Sequence, residues 1–189
     1  MHELHDTPRL LATVGIPFSG KSTLARALAG ALGADLIELD AMLGDTVEQP
    51  DDGRAWIERY RLAHARIQAA LDREAFVVFD AVNHRRHQRD RLRRIASEAG
   101  TGVRFIWLDI PADVALARLR RNRIVPERQD VPEDGFAEIA GAFEPPDGEP
   151  DVVTYDGSMP MVRWVDHLAD ALLMPGDLRT DGGLAFRRC

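Results

Sequence analysis

"LLATVGIPFSGKSTLARAL", residues 10–28, decides how this chain is read. A short apolar run, residues 10–14, gives way at Gly15 to a loop holding a second glycine, and Lys21 then opens a helical pattern reaching about Leu32. Strand, glycine loop and helix are the context in which Gly15-Ile16-Pro17-Phe18-Ser19-Gly20-Lys21-Ser22 acquires chemical meaning, because it fits G-x-x-x-x-G-K-[ST]. Glycines let the backbone wind its N–H groups around a phosphate, and the positive end of the following helix dipole lies behind them. The loop residues Gly15, Pro17, Phe18, Ser19 and Gly20 are therefore expected to cradle a nucleoside triphosphate. Lys21 is expected to bridge its β- and γ-phosphates, Ser22 to present a hydroxyl to Mg²⁺, and Thr23 to support the same phosphates. Phe18 has two open readings, under a base or against the loop itself.

Outward from this strip, short apolar runs alternate with longer amphipathic ones, the pattern of a mostly parallel sheet with crossover helices. The predicted strands are residues 10–14, "ADLIELD" ending at Asp40, "AFVVFD" ending at Asp80, "VRFIWLDI" and "DVVTYDG". Between them lie helical patterns at residues 54–74, 87–100, 111–122, about 135–142 and 161–173. In the first of these, Trp56, Ile57, Leu62, Ile67 and Leu71 are expected to face inward. The fold class is thus α/β, a three-layer arrangement with a five-stranded, mostly parallel sheet flanked by helices. One domain is expected over residues 1–174, with a lid segment at about 118–134 and a flexible tail at 175–189. The loop "GDTVEQPDDG", residues 44–53, is broken by Pro50 and Gly53.

Ligands of parallel sheets sit outside the carboxyl ends of the strands, so the acids that end apolar runs face the bound phosphates. Asp40 and Asp80 hold that position. A kinase needs one carboxylate to take the proton of an attacking hydroxyl and another to hold Mg²⁺ with its waters, and two strand-end aspartates can divide these roles.

Composition narrows the field. The formal net charge of −7 disfavours a general grip on nucleic acid, which depends on clustered cations. The run "RRHQRDRLRR", residues 85–94, reads most simply as a solvated helix face. A single cysteine, Cys189, offers no internal disulfide. With no apolar run near the roughly 20 residues of a membrane span, a cytoplasmic protein without membrane contact is expected. His84 and His87 lack a third ligand nearby, so a metal site there is not expected.

Several strips together, "GIPFSGKSTLARALA", "IELD", "FVVFDAVNHRRHQRDRLRRIASEAG", "IWLDIPADVALARLRRN" and "FEPPDGEPD", resemble the successive signatures of the small P-loop kinases akin to polynucleotide kinase, chloramphenicol phosphotransferase, zeta-toxin-like kinases and gluconate kinase. The resemblance covers about residues 10–173. It implies an ATP- and Mg²⁺-dependent kinase in which Asp40 is the general base. Asp80 and Asn83 would position metal-bound water or the acceptor, with Asp80 and Ser22 on the metal. Arg118, Arg121 and Arg123, within "ARLRRNR", match the lid that closes on ATP. The sequence lacks an N/T-K-x-D guanine-reading motif, which favours ATP over GTP. Asp40 is followed by the apolar "AMLG" where the polynucleotide branch carries polar and basic residues, and this favours a small, less charged hydroxyl compound as acceptor. A polynucleotide 5′-hydroxyl kinase gripping its substrate through Arg85 to Arg94 is one alternative. An ATP-hydrolysing switch without an acceptor is another.

Overall fold

The computed structural model describes residues 7–42, 54–126 and 130–173. Among the described residues five strands alternate with six helices: β1 (Leu10–Val14), α1 (Lys21–Leu32), β2 (Asp35–Glu38), α2 (Arg54–Leu71), β3 (Val77–Asp80), α3 (Arg86–Glu98), β4 (Val103–Leu108), α4 (Ala112–Ile124), α5 (Glu133–Gly141), β5 (Val152–Tyr155) and α6 (Met161–Leu173). The strands form one sheet in the order β2-β3-β1-β4-β5, and every pairing is parallel. Because β1 lies between β3 and β4, the turn that leaves it opens at the centre of the sheet's carboxyl edge, where ligands of such sheets bind.

Strand alternation divides the core in two. Leu10, Ala12 and Val14 face Ile67 and Leu71 of α2 and Leu92 and Ile95 of α3. Leu11 faces the other way, onto Leu24 and Leu28 of α1 and Trp164 and Leu168 of α6. Each such leucine removed from water contributes roughly 1.5–3 kcal/mol. A third cluster ties the turn after β1 to the lid side of the molecule: Ile16 and Phe18 pack with Ala115, Leu119 and Phe136 of α4 and α5.

Three expectations need correction. Asp40 does not end a strand, because β2 stops at Glu38 and Asp40 sits in a 3-10 turn, Leu39–Ala41. Trp56 and Ile57 are not core residues, being 44 % and 71 % exposed. Ile57 falls off the helical stripe of Ala63, Ile67 and Ala70, and Trp56 lies against the Arg59 guanidinium, 4.7 Å from its ring centre. The arginine-rich run is not simply a solvated face. Arg85, Arg86, Arg91 and Arg94 are exposed, but Arg89 is 0 % exposed.

The cause is the acidic segment that follows α5. Arg89 and Arg93, one helical turn apart on the same face of α3, meet Glu149 and Asp151. Arg89 Nη2 lies 2.6 Å from Glu149 Oε1, and Arg93 Nε lies 2.8 Å from Asp151 Oδ2. Arg93 also pairs with Glu149. Glu144 accepts the Arg86 N–H at 2.6 Å, covering the start of α3. Burial opposes the Glu149 charge, but hydrogen bonds from Arg89 and Arg93 outweigh it and hold the carboxyl below its ordinary value of 4.5. The loop at 44–53, residues 127–129 of the expected lid and the expected tail at 175–189 lie outside the described residues.

Removing one partner of a buried ion pair leaves an uncompensated charge, so Glu149→Ala is expected to cost about 3–5 kcal/mol in urea unfolding. Arg94→Ala, on the exposed face of the same helix, is expected to change stability by less than about 0.5 kcal/mol.

Candidate functional site

The turn after β1 is built so tightly that only glycine fits its first position. Gly15 has φ 153, and a Cβ there would stand 3.0 Å from Ser19 Oγ and 3.1 Å from the Leu108 carbonyl oxygen. Its N–H donates to the Val82 carbonyl at 3.1 Å, which ties the turn to the chain leaving β3. Gly20, at φ 107, delivers the chain into α1, whose first residue is Lys21. No side chain caps this helix, although its first-turn N–H groups have no acceptor within the helix. Ser19 Oγ is likewise buried with no partner. An uncapped helix start, an orphaned hydroxyl and a turn that excludes a Cβ fit a phosphate group. Lys21 is buried beside them and donates from Nζ to the Ile16 carbonyl at 2.8 Å.

Phe18 stands at both places, beside Ile16 of the loop and in the wall of the neighbouring cavity. It adopts φ 61, a strained value for a residue other than glycine, and its ring is seated in the cluster with Ala115, Leu119 and Phe136. Packing of the ring holds the backbone in that conformation. Pro17 is buried in the same turn, Ser22 is half-buried, and Thr23 is exposed on the first turn of α1.

Beside the turn stand the residues ending β3. Asp80 shares its strand face with Val78, which packs in the cluster of α1, so its carboxylate lies on the α1 side of the sheet. Thr13 Oγ lies 3.1 Å from Asp80 Oδ1 and 2.9 Å from the Ala81 carbonyl, and it accepts the Ala81 N–H at 3.2 Å. Asn83, at φ 46, donates from Nδ2 to the Thr13 carbonyl at 2.8 Å, and its own Oδ1 is buried without a partner. Arg89 reaches the same corner, donating to the Asn83 carbonyl at 3.0 Å.

Asp40 completes the group from the 3-10 turn. Its side chain opens to solvent on one side, yet the protein around it withdraws enough water that desolvation comes first in raising its pKa, followed by the charge of Asp80. Lys21 and Arg59 act in the opposite sense. The Tyr60 hydroxyl, pushed up to about 12 by burial and then by the charge of Asp40, accepts a hydrogen bond from Gln88 Nε2 at 3.2 Å.

On the other side of the turn a cavity of about 540 Å³ runs between α4 and the chain entering α6, walled by Phe18, Thr23, Ile110, Arg121, Tyr155 and Gly157 among others. Arg118 borders it and donates from Nη1 to the carbonyls of Phe18 (3.2 Å) and Ser19 (3.1 Å). Arg123, also expected at the nucleotide, stands apart from them in this structure. Its guanidinium is drawn to Asp130 (3.1 Å) and Glu133 (3.2 Å) at the start of α5, where opposite charge is nearer. Thr13, Arg59, Tyr60 and the Tyr155–Gly157 wall escaped sequence reasoning. Only the wall left a signal, since it stands at the carboxyl end of a predicted strand.

No curated protein matches the chain. Similar solved structures include a gluconokinase from Sinorhizobium meliloti 1021, 24 % identical over 88 % of this chain and 94 % of that one, with TM-score 0.63. The Mycobacterium tuberculosis APS kinase, solved with AMPPNP and APS, is 18 % identical over 86 % of this chain and 96 % of that one, with TM-score 0.61. Chaetomium thermophilum Kti12, solved with ADP-AlF3, is 19 % identical over 86 % and 98 %, also with TM-score 0.61. At these identities the likeness is one of fold. The family model described as "AAA domain" matches residues 10–146, from the first residue of β1 to beyond α5. With that match spanning most of the chain and the phosphate-binding turn at its head, the protein belongs to the AAA domain family and has the P-loop kinase fold.

Proposed function

We propose that this protein is a kinase that transfers the γ-phosphate of ATP to a hydroxyl of a small molecule. The observation that carries this reading is the convergence of Lys21, Asp80 and Asp40, from three different segments, beside an uncapped helix start. In this reading the turn from Gly15 to Ser22 holds the β- and γ-phosphates, and the 540 Å³ cavity receives the nucleoside. Ser22 and Asp80 would hold Mg²⁺, which would neutralise phosphate charge. Arg118 and Arg121 are close enough to the turn to offset charge on the transferring group. The acceptor enters between the 3-10 turn and α2, and Asn83 helps position it. Its oxygen bonds to the γ-phosphorus as the bond to the bridging oxygen of ADP breaks, and its proton passes to Asp40. A raised carboxyl pKa brings that base nearer to the pH at which it works.

Two alternatives supply contrasting outcomes. A polynucleotide kinase would bind oligonucleotides with a steep salt dependence, but Arg89 and Arg93 are already engaged with Glu149 and Asp151. A switch protein would hydrolyse ATP at a rate no acceptor changes. ADP release screened against hydroxylated metabolites separates all three readings.

Lys21→Ala is expected to lower phosphoryl transfer by about 100- to 1,000-fold, as the loss of one preorganised charge-stabilising donor does elsewhere. Wild-type activity in that variant would overturn the assignment. Asp40→Asn is expected to abolish transfer while leaving nucleotide affinity nearly unchanged, measured by titration with MgADP. The acid limb of kcat/KM in the wild type should lie above 3.8, the ordinary aspartate value. Stability follows the same sign. The folded protein holds the Asp40 proton more tightly than the unfolded chain, so the ionised carboxyl weakens the fold at neutral pH. Asp40→Asn should therefore raise Tm at pH 7, and the gap should close as pH falls to about 3.8.

A further inference from the structure

Arg59 is the cation for which the site offers no use so far. It lies on α2, is 9 % exposed, and is one of the most deeply buried charges near Asp40. Among the described residues it donates no hydrogen bond and forms no ion pair, and its Nε is shut from water without a partner. Arg89 and Arg93 of α3, buried and half-buried, are met by carboxylates, whereas Arg104 of β4 shares with Arg59 a buried Nε without a partner. The Trp56 ring covers one face of the Arg59 guanidinium, 4.7 Å from its centre, so that the plane is held and its edge donors remain. Its charge is felt at the Asp40 carboxylate, although no bond joins the two.

A buried guanidinium without an anion is costly, and a polar group left buried without a partner calls for an explanation, a bound ion among them. A held, planar fork of N–H donors matches the two oxygens of a carboxylate or the face of a phosphate. We propose that Arg59 determines acceptor specificity, and that the acceptor carries, besides the hydroxyl presented to Asp40, an oxyanion group that the Arg59 guanidinium binds. The proposal rests on the kinase reading for the position of the acceptor, and it departs from the less charged acceptor that "AMLG" suggests. In the kinase reading Lys21 is committed to the nucleotide phosphates, so it does not compete for this oxyanion. Asp80 and Glu38, which also act on Asp40, are acidic, and Glu38 is already paired with Arg26.

The test uses the full chain loaded with MgADP or MgATP and a panel of hydroxy acids and sugar phosphates, each matched to its neutral polyol or sugar, such as glycerate and glycerol 3-phosphate against glycerol. Binding to the MgADP form is read by calorimetry, and ADP release is read with MgATP. The expected result is that acidic members bind and that their neutral partners are weaker by about 10- to 100-fold, the range for hydrogen bonds to charged groups. Arg59→Gln should erase that difference without altering MgADP affinity, and Arg59→Lys should restore only part of it. Carboxylate against phosphate members within the panel identifies which oxyanion is preferred. Tm of the ligand-free protein provides a separate reading. Arg59→Gln removes a buried charge that no described residue pairs and should hold or raise Tm, whereas a fall in Tm would mean that Arg59 serves the fold and would overturn the proposal. Equal binding of neutral members, no binding of any acidic member, or a preference that survives Arg59→Gln would also overturn it. If acidic members bind through Arg59 yet no hydroxyl compound accelerates ADP release, the kinase reading fails and the anion site stands.

Discussion

Two parallel strands that end side by side, β1 and β3, make everything else at the carboxyl edge possible. Ala12 pairs with Phe79, so Thr13 comes level with Asp80, and the Thr13 hydroxyl is shared between the Asp80 carboxylate and the backbone of Ala81. Two residues further on, Asn83 reaches back to the Thr13 carbonyl and Gly15 bonds to Val82. These short bonds lie at the centre of the sheet and are shut from water, where each polar group must find a partner. They fix the phosphate turn relative to the acids of β3. Without this stitching, the start of α1 at Lys21 and the end of β3 at Asp80 would be free to move apart.

The strain in this corner is supported from outside it. Phe18 and Asn83 both hold positive φ values without being glycine. Phe18 is held by its ring, buried against α4 and α5, and the Asn83 carbonyl is held by Arg89. Arg89 is in turn fixed by Glu149 on the segment leading into β5. The acidic strap thus reaches the site through one arginine, and the hydrophobic arm of α4 and α5 reaches it through one phenylalanine. Both supports join distant parts of the chain to the same few residues, an economical way to hold conformations that the backbone alone disfavours.

Electrostatically the site is a balance of signs in a partly water-free space. Lys21 and Arg59 stand on the basic side, and Asp40, Asp80 and Glu38 on the acidic side. The net effect at Asp40 is a raised pKa, because desolvation and its acidic neighbours outweigh the two cations. The Tyr60 hydroxyl feels the same carboxylate and stays neutral. A carboxylate and a cation thus face each other's charge within one region of the molecule.

Much of the fold was legible along the chain. The apolar runs and helical periods located all the strands and helices seen among the described residues, to within a few residues at their ends. The phosphate turn was legible as well, because its function requires glycine, lysine and serine at consecutive places and a strand and helix on either side. Less legible were features made by residues far apart. Nothing near Arg89 announces that Glu149, sixty positions later, will neutralise it and draw it from solvent. Nothing near Trp56 announces that Arg59 will take its face instead of the core. Arg118 and Arg123 look alike in "ARLRRNR", yet one meets the carbonyls of the phosphate turn and the other meets Asp130 and Glu133, because five residues along a helix carry a side chain well away from its starting face. Local order alone specified the backbone's rhythm and the phosphate loop, since both arise from neighbours in the chain. The partners of each buried charge, and with them the chemistry of the acceptor side, came only from tertiary packing, which brings together groups whose separation in sequence carries no information about their distance in space.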